Sequence, residues 1–208
     1  YLMSNKPNNT TPQSGSQSGF TLVELSIVLV IIGLIISSVL VGQDLVRSAE
    51  LRATITQYES FNAAIATFRG KYNGLPGDIK GATNFGFTGD GNNDGNLLAS
   101  TDLSAGENSY FWNHLGSSGA ALIPGSYTGA GALADGSNIA AIIPSAKAGN
   151  YWGVYSLLNV NYYAIGVVAS AADNTYLSAL TLTPLEAKNL DEKADDGKPG
   201  KGLIQAKG

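Results

Sequence analysis

The stretch GDGNNDGN, residues 89–96, places Asp90, Asn92, Asp94 and Asn96 at alternate positions, with Gly95 following the third. Alternate side chains in a tight glycine-rich turn aim their oxygens at one centre, and a hard cation such as calcium takes about six to eight of them. The order D-x-N-x-D-G is the opening of an EF-hand-like loop. The closing glutamate of such a loop is missing: its place falls on Thr101, with Asp102 next and Glu107 further on. The flanks do not read as helix-loop-helix either. Two readings stand: a structural calcium site on Asp90, Asn92, Asp94 and Asn96, and an ion-free loop built from Asx turns.

Other residue types with chemical potential are sparse. Asp191, Glu192, Asp195 and Asp196 in DEKADDGKPGKG admit a second cation site, but Asp196-Gly197 followed by Pro199-Gly200 is first a turn signal. Asp78, in LPGDIKG, is expected on a loop, with Lys198 or Lys201 as a candidate partner. His114 is the sole histidine. A general base needs a nucleophile and an orienting group, and the sequence displays neither, so a surface or core-edge position is expected for it. One histidine and no cysteine argue against a zinc site. No G-x-x-x-x-G-K-[ST] is present, so the chain is not an assembly ATPase. No enzymatic activity is expected. Tyr151, Trp152, Tyr155, Tyr162 and Tyr163 read first as core and second as a stacking platform for a sugar. That second reading would suit a singly anchored periplasmic binding protein.

Composition narrows the partners. The net charge is −4, from 12 basic and 16 acidic side chains. With no Lys/Arg cluster to neutralise phosphates, no nucleic-acid partner is expected. The 17 residues from Leu25 to Val41 include 13 of Leu, Ile or Val, and no charge follows until Asp44. Transfer values of roughly −0.3 to −0.6 kcal/mol per apolar residue favour membrane insertion by about 4–8 kcal/mol. Against this stands Glu24, whose carboxylate at the edge of the run costs at most about 2.5–3.5 kcal/mol. Insertion wins. A secretory signal is excluded by the length of the run and by the absence of a small-x-small cleavage site after it.

The segment GFTLVELSIVLVIIGLI resembles the cleavage and methylation segment of type IV prepilins and type II secretion pseudopilins. The resemblance covers about 25 residues, centred on the Gly-Phe-Thr-Leu-x-Glu core. It implies that prepilin peptidase cuts between Gly19 and Phe20 on the cytoplasmic side and methylates the new amino terminus. It also implies that Glu24 is the family's assembly glutamate, pairing with the amine of its own or a neighbouring subunit. The partners so implied are prepilin peptidase, other pilin or pseudopilin subunits, and the inner membrane. The precursor would be a single-pass inner-membrane protein with its head in the periplasm, and the product a subunit of a pilus or pseudopilus.

The elements that must position these residues follow from periodicity. Residues 1–19 are mostly Asn, Ser, Gln, Thr and Pro, carry Lys6 as their only charged side chain, and read as a disordered leader. A helix is expected from Phe20 to about Arg69, roughly 75 Å long, apolar all round in its first half and amphipathic in its second. The inward stripe is read as Leu45, Ala49, Ile55, Tyr58, Asn62, Ile65 and either Phe68 or Arg69. Gly33 and Ser37-Ser38 are its weak points. Glu107, Phe111, Trp112 and Leu115 predict a short helix closed by Gly116 or Gly119. NYWGVYSLL and NYYAIGVVAS predict an antiparallel pair joined at Asn159. Thr183, Pro184 and Glu186 predict a capped helix, and GLIQA a final strand. The fold class is α+β: a long helix packed on a small antiparallel sheet, pilin-like, with residues 1–19 as leader, 20–70 as helix and 71–208 as head.

Overall fold

The computed structural model describes residues 19–97, 106–116, 118–129, 139–166, 182–198 and 202. Of the leader expected at 1–19 and the strand expected at 202–206, only Gly19 and Gly202 are among the described residues. Helices α1 (Leu22–Tyr72) and α2 (Glu107–Leu115) come first, then strands β1 (Tyr151–Leu157) and β2 (Val160–Gly166), then helix α3 (Pro184–Ala194). The fold is α+β and pilin-like: among the described residues it has one long N-terminal helix, apolar in its first half, a two-stranded antiparallel sheet and two further α-helices.

The chain divides into two compact units, one up to Asp44 and one from Leu45. In the first, every side chain from Leu22 to Val41 is exposed. A helix apolar on all faces and buried against nothing demands a nonaqueous surround. Among the described residues, α1 is the one helix long and apolar enough to cross a membrane. It continues unbroken through Gly33 and Ser37-Ser38. There the serine hydroxyls bond back to Gly33 O at 2.9 Å and Leu34 O at 2.8 Å, so no side-chain donor is left bare in an apolar stretch.

In the second unit α1 buries Leu51, Thr54, Phe61, Ala64 and Phe68, with Ile55, Tyr58, Ile65 and Tyr72 half-buried. This corrects the expected stripe. Ile55, Tyr58, Ile65 and Phe68 lie on the inward face, but Leu45, Ala49 and Asn62 face solvent. The run Tyr58, Phe61, Ile65, Phe68, Tyr72 keeps the three- and four-residue steps of one face, whereas a step from Tyr58 to Asn62 rotates off it. The helix closes three residues later than expected, where Asn73 takes a left-handed φ of 53° and donates to Arg69 O.

Polar residues on α1 fasten the loop before β1. Ala148 N donates to Thr54 Oγ1 at 2.8 Å, Lys147 N to Gln57 Oε1 at 2.8 Å, and Gln57 Nε2 to Ser145 O at 3.1 Å. Arg47 donates to Ala148 O, to Glu50 and to Glu186, joining loop, α1 and α3. Glu186 also completes the expected capping box of α3 with Thr183. The Arg47 bond, then the Thr183 backbone bond, hold its carboxyl at about 2.

β1 and β2 pair antiparallel, Tyr151 opposite Gly166 and Leu157 opposite Val160. The two-residue turn is Leu158-Asn159, both at positive φ (51° and 62°), the twist that a tight hairpin requires. Trp152 and Tyr163 turn toward Phe61, while Tyr155 and Tyr162 stack across the strands at 5.5 Å. The aromatic set is therefore divided between core and a cross-strand pair. α2 runs over the expected residues and ends at Gly116, with Phe111, Trp112 and Leu115 in the same core.

Candidate functional site

Two places gather the residues singled out by the sequence. The first is the entry to α1. Gly19 and Phe20 precede the helix, outside regular structure, and both are exposed; a Cβ on Gly19 would meet nothing within 4 Å. Thr21 is the N-cap. Its N–H donates to Glu24 Oε2 at 2.7 Å and its hydroxyl donates to the same oxygen at 2.8 Å. In return, Glu24 N donates to Thr21 Oγ1 at 3.2 Å. Thr21 and Glu24 thus form a capping box that starts the helix two residues after the Gly19-Phe20 bond, with the carboxylate at the positive end of the macrodipole. Thr21 was not singled out from the sequence, although T-x-x-E ahead of an apolar run is the written form of this motif.

Residues 15–40 match a family model described as the prokaryotic N-terminal methylation motif. They carry the type IV prepilin and pseudopilin signature. No curated protein and no solved structure matches the chain. The prepilin signature thus spans the candidate cleavage bond, the capping box and most of the exposed apolar run, and ends before the second unit begins. Its helical part is the stretch in which every side chain is exposed. The matched motif and the same long apolar stretch fit a membrane-anchored precursor.

The second place is the 89–96 loop, and here the expected ligand set changes. Asp90 turns to Thr83, accepting from its N–H at 2.8 Å and from its hydroxyl at 3.3 Å. Asn96 Oδ1 accepts from Ser156 Oγ at 3.3 Å. Asn92 and Asp94 make successive Asx turns, Asp94 N to Asn92 Oδ1 and Asn96 N to Asp94 Oδ1, both at 2.8 Å. The carboxylates that approach one another within 4.8 Å are Asp94, Asp78 and Glu107. Glu107, noted in the sequence only as lying beyond the EF-hand closing position, accepts from Asn92 N at 2.8 Å.

Asp78 is the larger correction. It is 2% exposed; of the two expected lysines, Lys198 pairs loosely with Asp196 at 4.0 Å and Lys201 lies outside the described residues. Its carboxylate instead accepts from Asp94 N at 3.1 Å and Gly95 N at 2.8 Å. Its backbone carbonyl accepts from Asn93 N at 2.8 Å. The two segments lie so close that a Cβ on Gly91 would come within 2.3 Å of the Asp78 Cα. Backbone N–H donors replace the water that a buried carboxylate gives up. Asp78→Asn keeps the shape but turns one acceptor into a donor facing a backbone N–H. A loss of about 1–2 kcal/mol is expected, read by denaturant unfolding of the detergent-solubilised chain. No loss of stability would show that the carboxylate does not hold the loop.

His114 is neither at the surface nor at the core edge. It is fully buried, between the rings of Phe68, Phe87 and Tyr110. Gly77 N donates to its Nδ1 at 2.9 Å, so the ring proton sits on Nε2 and faces Thr88 O at 3.2 Å. The imidazole bridges the 75–79 segment and the segment before the 89–96 loop. Gly77 has no alternative residue there, since its φ is 85° and a Cβ would fall 2.2 Å from Glu107 O. Nothing in the local sequence marked His114 for this bridge, because both of its partners are more than twenty residues away.

Proposed function

We propose that the chain is a structural prepilin-type subunit, cut between Gly19 and Phe20 by prepilin peptidase and assembled through α1 into a type IV pilus or a type II secretion pseudopilus. One observation carries this reading: an exposed Gly19-Phe20 bond outside regular structure stands immediately before a capped helix whose next twenty residues bury nothing. A peptidase needs its substrate extended, and a filament core needs apolar helix surface left unused by the subunit itself. The entry to α1 supplies both.

Cutting would place an ammonium on Phe20, beside the N-terminal pole of α1, where a positive charge is unfavourable. Glu24, one turn further on, supplies the opposite charge. In this chain its Oε2 is held by Thr21, so pairing with a neighbouring subunit's amine trades against the capping box. A polar residue in an otherwise apolar helix bundle fixes register at some cost in stability, and that is the role proposed for Glu24.

Mass spectrometry of the protein from cells with and without prepilin peptidase tests the reading. The expected mature form begins at a methylated Phe20 and is absent without the peptidase. Glu24→Ala is expected to be cut yet to stay out of filaments sheared from the cells. An amino terminus upstream of Phe20 in peptidase-containing cells would overturn the proposal.

A further inference from the structure

The exposed apolar surface of α1 does not end with its membrane-length run. Residues 22–41 supply the roughly 20 helical residues that a hydrocarbon core of about 30 Å requires. Asp44, the first charge after that run, marks its outer edge. Just beyond it, Leu45 and Val46 are 68% and 61% exposed. In the head, Leu185 is 67% exposed, between Pro184 and Glu186 in the first turn of α3.

Arg47 fixes the height of Leu185. Its guanidinium donates to Glu186, next in sequence to Leu185, and to the Ala148 carbonyl at 2.6 Å. One turn further along both helices, Leu51 and Leu190 share a small buried cluster with Ala148. Equal steps of four, 47 to 51 and 186 to 190, carry the contact along both helices. Helix α3 therefore ascends beside α1, and its first turn is its lower end. Side chains on a helix lean toward its N-terminus, so Leu185 leans downward as well. Arg47 is six residues past Val41 on one continuous helix, a rise of about 9 Å. The interfacial layer of one leaflet is about 5–8 Å deep. Leu185, below the level of Arg47, falls inside that layer together with Leu45 and Val46.

We propose that the first turn of α3 is a foot by which the head rests on the bilayer, with Leu185 inserted among the lipid headgroups and upper acyl carbons beside Leu45 and Val46. The proposal rests on the membrane-anchored reading of the chain. An apolar side chain at this depth gains by leaving water, as on the apolar face of an interfacial helix. The contact needs no anionic lipid, because Arg47 is already paired with Glu50 and Glu186, and Lys188 with Glu192. A subunit drawn into a filament would give this contact up.

The chain has no cysteine, so single substitutions accept a fluorophore at one site each. The uncut full chain is reconstituted in phosphatidylcholine vesicles at low protein-to-lipid ratio, carrying a polarity-sensitive probe at one of three positions. These are Lys188→Cys, one turn above Leu185; Ile35→Cys, within the apolar run; and Lys80→Cys, exposed on the head eight residues past the end of α1. Lipids with a spin-label quencher near the headgroup are expected to remove at least half of the emission at 188 and none at 80. Deep quenchers should act at 35. Adding Leu185→Asp should restore most of the emission at 188. An acid is favourable in the first turn of a helix, so this variant keeps α3 folded. Quenching at 35 without quenching at 188 would overturn the foot and leave the anchor intact, as would quenching at 188 that requires phosphatidylglycerol. No quenching at either position would overturn the anchor and the foot with it. Emission at 188 that shifts only at high protein-to-lipid ratio, untouched by lipid quenchers, would assign the patch to a second copy of the chain and refute the proposal.

Discussion

Phe61→Ala is expected to lower the unfolding free energy by about 3–5 kcal/mol, the largest stability effect at any single residue considered. Phe61 is 3% exposed and stands where α1, α2 and the hairpin meet. Its ring lies 5.0 Å from Trp112 at 66° and 5.5 Å from Trp152 at 86°, edge-to-face arrangements that add to simple burial. Tyr163 closes the group at 6.2 Å. Truncation therefore opens a cavity bounded by three large rings fixed by separate elements, which do not collapse into it easily. A fall in melting temperature on the order of 10 °C follows for a chain of this size. Phe61→Leu, which fills most of the space, should cost only about 1–2 kcal/mol. Denaturant unfolding followed by tryptophan fluorescence measures both, and a loss below about 1 kcal/mol for the alanine variant would place the core elsewhere.

Acid is expected to remove a further contribution of about 3 kcal/mol, between about pH 6.5 and pH 4. Its source is His114. Burial pushes the imidazole down from 6.5 to about 4, against the raising influence of the backbone hydrogen bonds to Thr88 and Gly89 and of the Asp90 charge. The unfolded chain takes up its proton first as pH falls, so protonation favours unfolding over that interval. The contribution is complete above 6.5 and lost as the pH falls through the folded value. Geometry points the same way, because Nδ1 accepts the Gly77 N–H and a protonated ring would face that donor with a second one. His114→Gln should flatten the pH dependence of stability over this interval. Ring proton resonances should stay unchanged as pH is lowered past 6, and a titration midpoint near 6.5 would refute the buried neutral imidazole.

Structure that depends on neighbours along the chain was legible in the residues. The apolar run, the Gly-Phe-Thr-Leu-x-Glu core, the capping box at Thr183 and Glu186, the hairpin about Asn159 and the helix at Glu107–Leu115 each rest on spacing within a few positions. Turn chemistry and periodicity act at that range, so inspection recovers them. Phase was harder. The inward face of α1 diverged once the step from Tyr58 was taken to Asn62 rather than Phe61, because one residue rotates a helix by about 100°.

The alternating pattern at 89–96 shows where sequence reading stopped. It identified a loop rich in side-chain oxygens but assigned them to each other, while the structure gives Asp90 to Thr83 and brings Asp78 and Glu107 toward Asp94. Those two carboxylates lie 16 and 13 positions from Asp94 in opposite directions, and no local rule brings them together. The burial of His114 and the bridge from Arg47 to Glu186 belong to the same class. By itself, then, the sequence determined the long apolar helix and the capped entry to it, because apolar transfer and helix capping are summed residue by residue. Which acids are paired, buried or left open was decided only by tertiary structure, because desolvation depends on what distant segments place around a charge.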